Sequence, residues 1–163
     1  APADGKLVRT FDAGPLHSYN DGQQVHYGGV RSLAISPDGK RLAASGLDNA
    51  SNPLGAVNDP LVLTVDWETA EKRLSHKAGD LKGVAWRALF HSEGFLMAGS
   101  GGSGGGFLLF WQADQDKEMH RFQLPNTARD MDLHPDGIQV ATAHHDRHVR
   151  ISRLEAKPSE TKA

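Results

Sequence analysis

A short segment recurs three times along the chain, and this repeat constrains the fold more than any other feature. Its copies cover residues 30–44, 82–98 and 128–142. Each copy predicts a β-strand, a tight turn and a second strand. In the first copy, Pro37 presets the second position of a type I turn and Gly39 takes the last position. Pro135 and Gly137 do the same in the third copy, whereas the middle copy keeps only Gly94.

A third strand is predicted after each hairpin, because residues rich in β-branched and aromatic side chains follow it. These strands cover residues 61–66, 107–112 and 148–153. More polar fourth strands are predicted over residues 71–76 and 117–124, since their charged side chains suit the outer edge of a sheet. Residues 68–73 alternatively fit the start of a short helix. The recurring unit is therefore a four-stranded antiparallel sheet.

These residues resemble the WD-repeat β-propeller family, whose four-stranded blades recur every ~40–45 residues. The resemblance covers residues 5–154, and the Ser36–Lys40 turn and the Phe110–Gln112 sequence carry it. It implies an all-β fold of about three blades, with structural motif residues at His26, His76, Trp111, Thr142 and Asp146. The chain is a divergent example, because Val65 and Ser152 stand where the family has tryptophan.

The resemblance also divides the chain into blades. Residues 1–12 are predicted to be the outer strand of a preceding blade, and the rest to be blade one (13–80), blade two (81–125), a three-stranded blade three (126–154) and a disordered polar tail (155–163). This division gives about twelve strands, or three blades' worth, whereas closed propellers have about four to eight blades. The favoured interpretation is the carboxy-terminal part of a longer propeller. The alternative is a homodimer that closes a six-bladed ring, in which residues 5–12 add a strand to the other copy.

The long connections all open on one face of the predicted propeller. This loop-bearing face holds the connections between second and third strands and those from an outer strand to the next blade. Long loops on a scaffold are where binding usually resides, although neutral variation in loop length would give the same pattern. The predicted partner-binding residues are His17, Tyr19, Asn20, Asn49, Asn52, Asn58, His144, His145 and Arg147.

Several sequence motifs are candidates for a chemical site. Residues 99–106 contain a GxGxxG pattern, but a strand rather than a helix follows, so a flexible loop is predicted instead of a phosphate site. The histidines of residues 144–148 lie on a turning chain, and no metal site is predicted there. His26 and His76 are interpreted as structural rather than as bases. The remaining candidates are three carboxylates with no special spacing and three tryptophans assigned to packing: Asp48, Asp59, Asp66, Trp67, Trp86 and Trp111.

Composition narrows the function classes. The 163 residues are 38% hydrophobic and contain no cysteine, which fits a globular domain and excludes disulfides and thiolate zinc sites. A formal net charge of -2 lacks the basic excess that nucleic acids or anionic membranes attract. No apolar run reaches the ~20 residues of a membrane helix, so a soluble protein is predicted, in a compartment that the sequence leaves open.

The leading functional hypothesis is a non-catalytic scaffold that binds a protein or peptide and needs no cofactor. The first alternative is an accessory or substrate-binding propeller domain of a larger enzyme. The second alternative is a catalytic or metal-binding propeller.

Overall fold

The computed structural model describes residues 5–155, and antiparallel strands dominate it. Within these residues the helical content is a single 3-10 turn, Gly14–Leu16. The strands are β1 (His17–Asn20), β2 (Val25–Gly28), β3 (Ser32–Ile35), β4 (Arg41–Asp48), β5 (Asp59–Asp66), β6 (Lys72–Lys77), β7 (Val84–Phe90), β8 (Phe95–Gly102), β9 (Gly105–Gln112), β10 (His120–Leu124), β11 (Ala128–Leu133), β12 (Gln139–His144) and β13 (Val149–Arg153).

Three of the sheets are consecutive propeller blades. Strands β3–β6 form blade one, β7–β10 form blade two, and β11–β13 form the three-stranded blade three, each in chain order. The first strands β3, β7 and β11 lie next to one another, so they form the inner edge of the array. The prediction of an all-β propeller segment built from four-stranded antiparallel blades is confirmed.

Apolar side chains fill both spaces between blades. Ala43 and Val62 of blade one pack against the blade-two side chains Leu96, Ala98 and Leu109. The opposite side of blade two packs on blade three through the side chains Met97, Leu108, Phe110, Met131 and Val140. Because burial of apolar surface is the main favourable term in folding, these two layers hold the blades together.

Residues 13–28, over which no strand was predicted, contain a β-hairpin. Strands β1 and β2 pair with Tyr19 opposite His26. Only one of their eight residues, Tyr27, is buried, so the apolar alternation that indicates a strand is missing. The hairpin is joined to the chain before it by a hydrogen bond from the Gly29 amide to the Leu16 carbonyl (2.6 Å).

Residues 5–13 form no strand in the structure, unlike the predicted outer strand over residues 1–12. A β-strand is stabilised by hydrogen bonds to a neighbouring strand, and no strand among residues 5–155 pairs with this segment. The segment instead lies against blade one, where the Phe11 and Trp67 rings are 5.6 Å apart and Arg9 is 3.2 Å from Glu68. Its assignment to a preceding blade stays a prediction. Residues 1–4, and all of the predicted tail except Glu155, lie outside the described residues.

The glycine-rich segment 99–106 is not the flexible loop that was predicted. Strand β8 continues to Gly102 and β9 begins at Gly105, so only two residues turn between them. A Cβ atom on Gly106 would collide with the Asn126 carbonyl, and one on Gly102 would collide with the Gly83 backbone. The glycines therefore allow backbones to approach closely within a regular hairpin.

Candidate functional site

The loops of the loop-bearing face are joined to one another by backbone hydrogen bonds. The Ser103 amide donates to the Ala56 carbonyl (2.8 Å), and the Gly83 amide donates to the Asn58 carbonyl (2.6 Å). In blade three, the His145 amide donates to the Thr127 carbonyl (3.1 Å). Loops of different blades thus form one connected surface.

The hairpin β1–β2 places three exposed rings together. His17 Nε2 lies 2.8 Å from His26 Nδ1, and the Tyr19 ring centre is 4.6 Å from that of His26. His26 was predicted to be a structural motif residue, but its exposed position makes it part of the surface instead. The Ser18 hydroxyl donates to the Ala50 carbonyl and ties the hairpin to the loop that follows β4. Asn20 caps the hairpin turn, where its Oδ1 accepts from the Gln23 amide (3.1 Å).

Two asparagines that were predicted to bind a partner instead form hydrogen bonds within the loop between β4 and β5, residues 49–58. Asn58 is only 4% exposed, and its amide donates to Ser51 Oγ (3.1 Å), so its predicted display is wrong. Asn52 is half-buried, and its Oδ1 accepts from the Leu54 amide (3.0 Å). Asn49 is exposed, as predicted for a binding residue.

Two exposed apolar side chains at the tip of this loop were missed by the sequence analysis. Leu54 and Val57 are both largely open to solvent. A loop has no periodic pattern of apolar residues, so its sequence does not indicate which apolar side chains are exposed. Their exposure adds an apolar contact area between the polar residues of the face.

The carboxylates near blade one are each paired with a cation. Lys77 Nζ lies 2.8 Å from Asp48, and Lys82 pairs with Asp59. A hydrogen bond from Arg73 is the main reason that the pKa of Asp66 falls to about 2. Each of these three carboxylates is therefore engaged by its own cation.

His144, another predicted partner-binding residue, is buried at 7% exposure. Its Nε2 lies 2.8 Å from the Thr142 hydroxyl, and its Nδ1 lies 2.9 Å from the Asn126 carbonyl. Because a carbonyl can only accept, Nδ1 donates to Asn126, and Nε2 is hydrogen-bonded to the threonine hydroxyl. Both ring nitrogens are therefore used internally, and the predicted display of His144 is wrong.

The other residues of the β12–β13 loop divide between structure and surface. Asp146 accepts two hydrogen bonds from Arg150, at 2.9 and 2.7 Å, and this pairing holds the pKa of the Asp146 carboxyl well below its usual range. His145 and Arg147 are exposed. Within residues 5–155, no group of three histidine or acidic side chains is placed to hold a metal ion.

His76 and Trp111 connect blades one and two. The fully buried His76 has Nε2 3.1 Å from the Thr64 hydroxyl and Nδ1 2.8 Å from the Gln115 carbonyl. Trp111 Nε1 donates to the Lys77 carbonyl (3.1 Å), and its ring meets His76 edge-on at 5.9 Å. Burial lowers the pKa of His76, so the ring is neutral at pH 7. This arrangement gives His76 a structural role.

Three side chains at the inner border of the face form a group that was not predicted, because Trp86 was assigned only to packing and the two arginines were not singled out. Arg31, Trp86 and Arg129 occupy the same position in successive repeats, five residues before Ser36, His91 and His134. The Trp86 indole is half-buried and donates to the Gly101 carbonyl (3.3 Å). The Arg129 and Arg31 guanidinium carbons lie 4.4 and 5.4 Å from its ring centre.

Consecutive antiparallel blades with loops collected on one face define a segment of a β-propeller. Residues 15–50 match the family model described as WD domain, G-beta repeat. The chain therefore carries a WD repeat, which confirms the resemblance found in the sequence. No curated protein matches the chain. Within residues 5–155, no helix is long and apolar enough to cross a membrane.

Proposed function

We propose that the chain is a non-catalytic scaffold whose loop-bearing face binds a protein or peptide. The observation that carries this proposal is the exposure of aromatic and aliphatic side chains among polar ones on loops joined by hydrogen bonds. Tyr19, Leu54 and Val57 supply the apolar contacts, and His17, Asn49, His145 and Arg147 supply polar contacts around them. Interfaces that combine aromatic anchors with a polar rim follow the same plan.

The opposite face offers less to a partner. The β3–β4 and β11–β12 turns on this face are short, and their carboxylates are hydrogen-bonded within the turns themselves. Asp38 accepts from the Ser36 hydroxyl (2.6 Å), and Asp136 accepts from the Gln139 amide group (2.7 Å). These internal hydrogen bonds favour the loop-bearing face as the binding surface.

The proposal is tested with peptides selected by display on the immobilised protein. We expect Tyr19→Ala to weaken the selected peptides by roughly tenfold or more, as for an aromatic anchor. Ile35→Ala is the control, because Ile35 is 57% exposed against 47% for Tyr19 but ends β3 beside the Ser36–Lys40 turn, on the opposite face. Binding constants from titration calorimetry decide the outcome. Peptides that lose affinity in Ile35→Ala and keep it in Tyr19→Ala would contradict the proposal.

The catalytic or metal-binding alternative finds less support in the described residues. The carboxylates of blade one are paired with cations, and the histidines His76 and His144 are engaged inside the fold. An accessory role in a larger enzyme would use the same face and is compatible with the proposal.

A second candidate role, self-association, is favoured by the open edge of blade three. Strand β13 has no neighbour on its outer side within the described residues, and its Val149 and Ile151 side chains are exposed. Beside it, between blades two and three, lies a groove of about 560 Å³ lined by side chains that include Phe95, Phe110, Phe122 and Leu154. Residues 5–12 of a second copy, which form no strand in their own chain, would pair with β13 and cover this groove.

Light scattering on a sizing column tests this role with the whole chain and with a variant lacking residues 1–12. We expect the whole chain to be a dimer and the shortened chain a monomer, because the deletion removes the strand that would be exchanged. Circular dichroism of the shortened chain checks that its sheets remain. A whole chain that stays monomeric at about 100 μM, far above the Kd of a stable interface, would contradict self-association and leave the scaffold proposal intact.

A further inference from the structure

Arg31, Trp86 and Arg129 form a stacked group that no structural role accounts for. The two guanidinium groups lie within cation–π distance of a single indole. The Trp86 side chain is held in place because it packs against the hydrophobic cluster that contains Tyr27 and Val84. The ring is thus held in place while both arginines are exposed.

The two arginines have no counter-charge in the described part of the chain. Arg87 is 3.7 Å from Asp130, so the carboxylate next to Arg129 in sequence is directed to a different guanidinium. Neither Arg31 nor Arg129 makes an ion pair with any residue between 5 and 155. Two unpaired positive charges held beside one ring repel each other, and a negatively charged partner at this surface would offset that repulsion.

The group borders the proposed binding surface. Arg31 directly precedes β3, and Arg129 is the second residue of β11, so both lie where the chain enters a blade from the loop-bearing face. The Trp86 side chain lies at the same end of the blades, because its indole N–H donates to the carbonyl of Gly101 near the β8–β9 turn. A partner lying across the loops would extend over this group.

We propose that Arg31, Trp86 and Arg129 bind a carboxylate side chain of an acidic partner segment. This inference rests on the proposed function, since it names the chemistry of the partner that the same face would take. Guanidinium groups form paired hydrogen bonds with a carboxylate, and these are stronger than bonds between neutral groups. The indole keeps both groups in position and supplies an apolar surface for the methylene groups of a glutamate.

The test uses an acetylated, amidated peptide of alternating glutamate and glycine, with the glutamine version as the uncharged probe. Binding is followed by NMR of the indole N–H signals, and Trp86→Phe identifies the signal of Trp86. We expect the glutamate peptide to shift that signal saturably and the glutamine peptide to leave it unchanged. The R31Q/R129Q double variant should bind the glutamate peptide at least roughly tenfold more weakly, as expected for lost charged hydrogen bonds.

Arg153→Gln is the control for charge, because Arg153 is exposed at the far end of β13. It should retain the wild-type affinity. Equal binding of the two peptides, or an equal loss in Arg153→Gln and in either Arg31→Gln or Arg129→Gln, would overturn the inference.

The two proposals fail in distinguishable ways. Display-selected peptides that depend on Tyr19 but bind R31Q/R129Q normally would retain the scaffold function and overturn acidic recognition. Peptides insensitive to Tyr19→Ala, together with specific binding of the glutamate probe, would overturn the loop-bearing face as the protein-binding surface and retain the anion site.

Discussion

Replacing Gly106 by alanine lowers the free energy of unfolding by about 3 kcal/mol, which corresponds to a Tm lower by roughly 6–12 °C for a chain of this size. The added Cβ would collide with the carbonyl of Asn126 in the neighbouring connection. Backbone cannot rotate away as a flexible side chain can, so β9 or the connection must shift. Thermal unfolding followed by calorimetry measures the loss.

Gly22→Ala provides the matched control for this variant. Gly22 lies in the turn between β1 and β2, and a Cβ there would meet Asn20 Oδ1 at an ordinary 3.5 Å. Its expected effect is below about 0.5 kcal/mol, as for other surface substitutions. Equal Tm values for the two variants would show that the segment around Gly106 adapts freely, as the flexible loop predicted from sequence would.

The His76→Phe variant is expected to lose about 3 kcal/mol of stability. Phenylalanine is a slightly larger ring that leaves no cavity, but it leaves the Thr64 hydroxyl and the Gln115 carbonyl without their partner. Each buried polar group left unpaired costs about 1–3 kcal/mol. His26→Phe is the control, because His26 is exposed on the hairpin, and it should change stability by less than about 0.5 kcal/mol. Denaturant unfolding compares both variants with the wild type.

The stability difference between the wild type and His76→Phe, measured at several pH values, tests whether His76 is neutral. Burial lowers the folded-state pKa of His76 below the ordinary histidine value of about 6.5, although the hydrogen bond to the Gln115 carbonyl acts against this shift. The unfolded state therefore binds a proton more readily, and wild-type stability falls as the pH drops from about 6.5 toward the folded-state pKa. His76→Phe lacks this loss, so the stability gap should narrow between pH 7.5 and 5.5. A gap that stays constant or widens would contradict a neutral, buried His76.

The blades could be predicted from sequence because their signals are local. A turn such as Ser36–Lys40 has its own preferred conformation, and short runs rich in apolar residues on both sides of it indicate strands. The polar outer strands followed from the same repeat, and the structure places β6 and β10 close to the predicted ranges.

The site was harder to predict, because burial depends on neighbours distant in sequence. His144 resembles an exposed loop histidine until Asn126 and Thr142 are brought against it. The glycines of residues 99–106 resemble a linker until the connection at residues 126–127 is seen beside them. The equivalence of Arg31, Trp86 and Arg129 was present in the repeat, but only the assembled first strands show that their side chains stack.

The cross-loop hydrogen bonds of the loop-bearing face affect the thermodynamics of association. Loops that order only on contact lose conformational entropy at that moment, which weakens binding. Here the amides of Ser103, Gly83 and His145 already hold their loops to neighbouring blades before any partner arrives. A partner would therefore meet a preorganised surface, and its affinity would be limited by the ordering of its own segment rather than by that of the propeller.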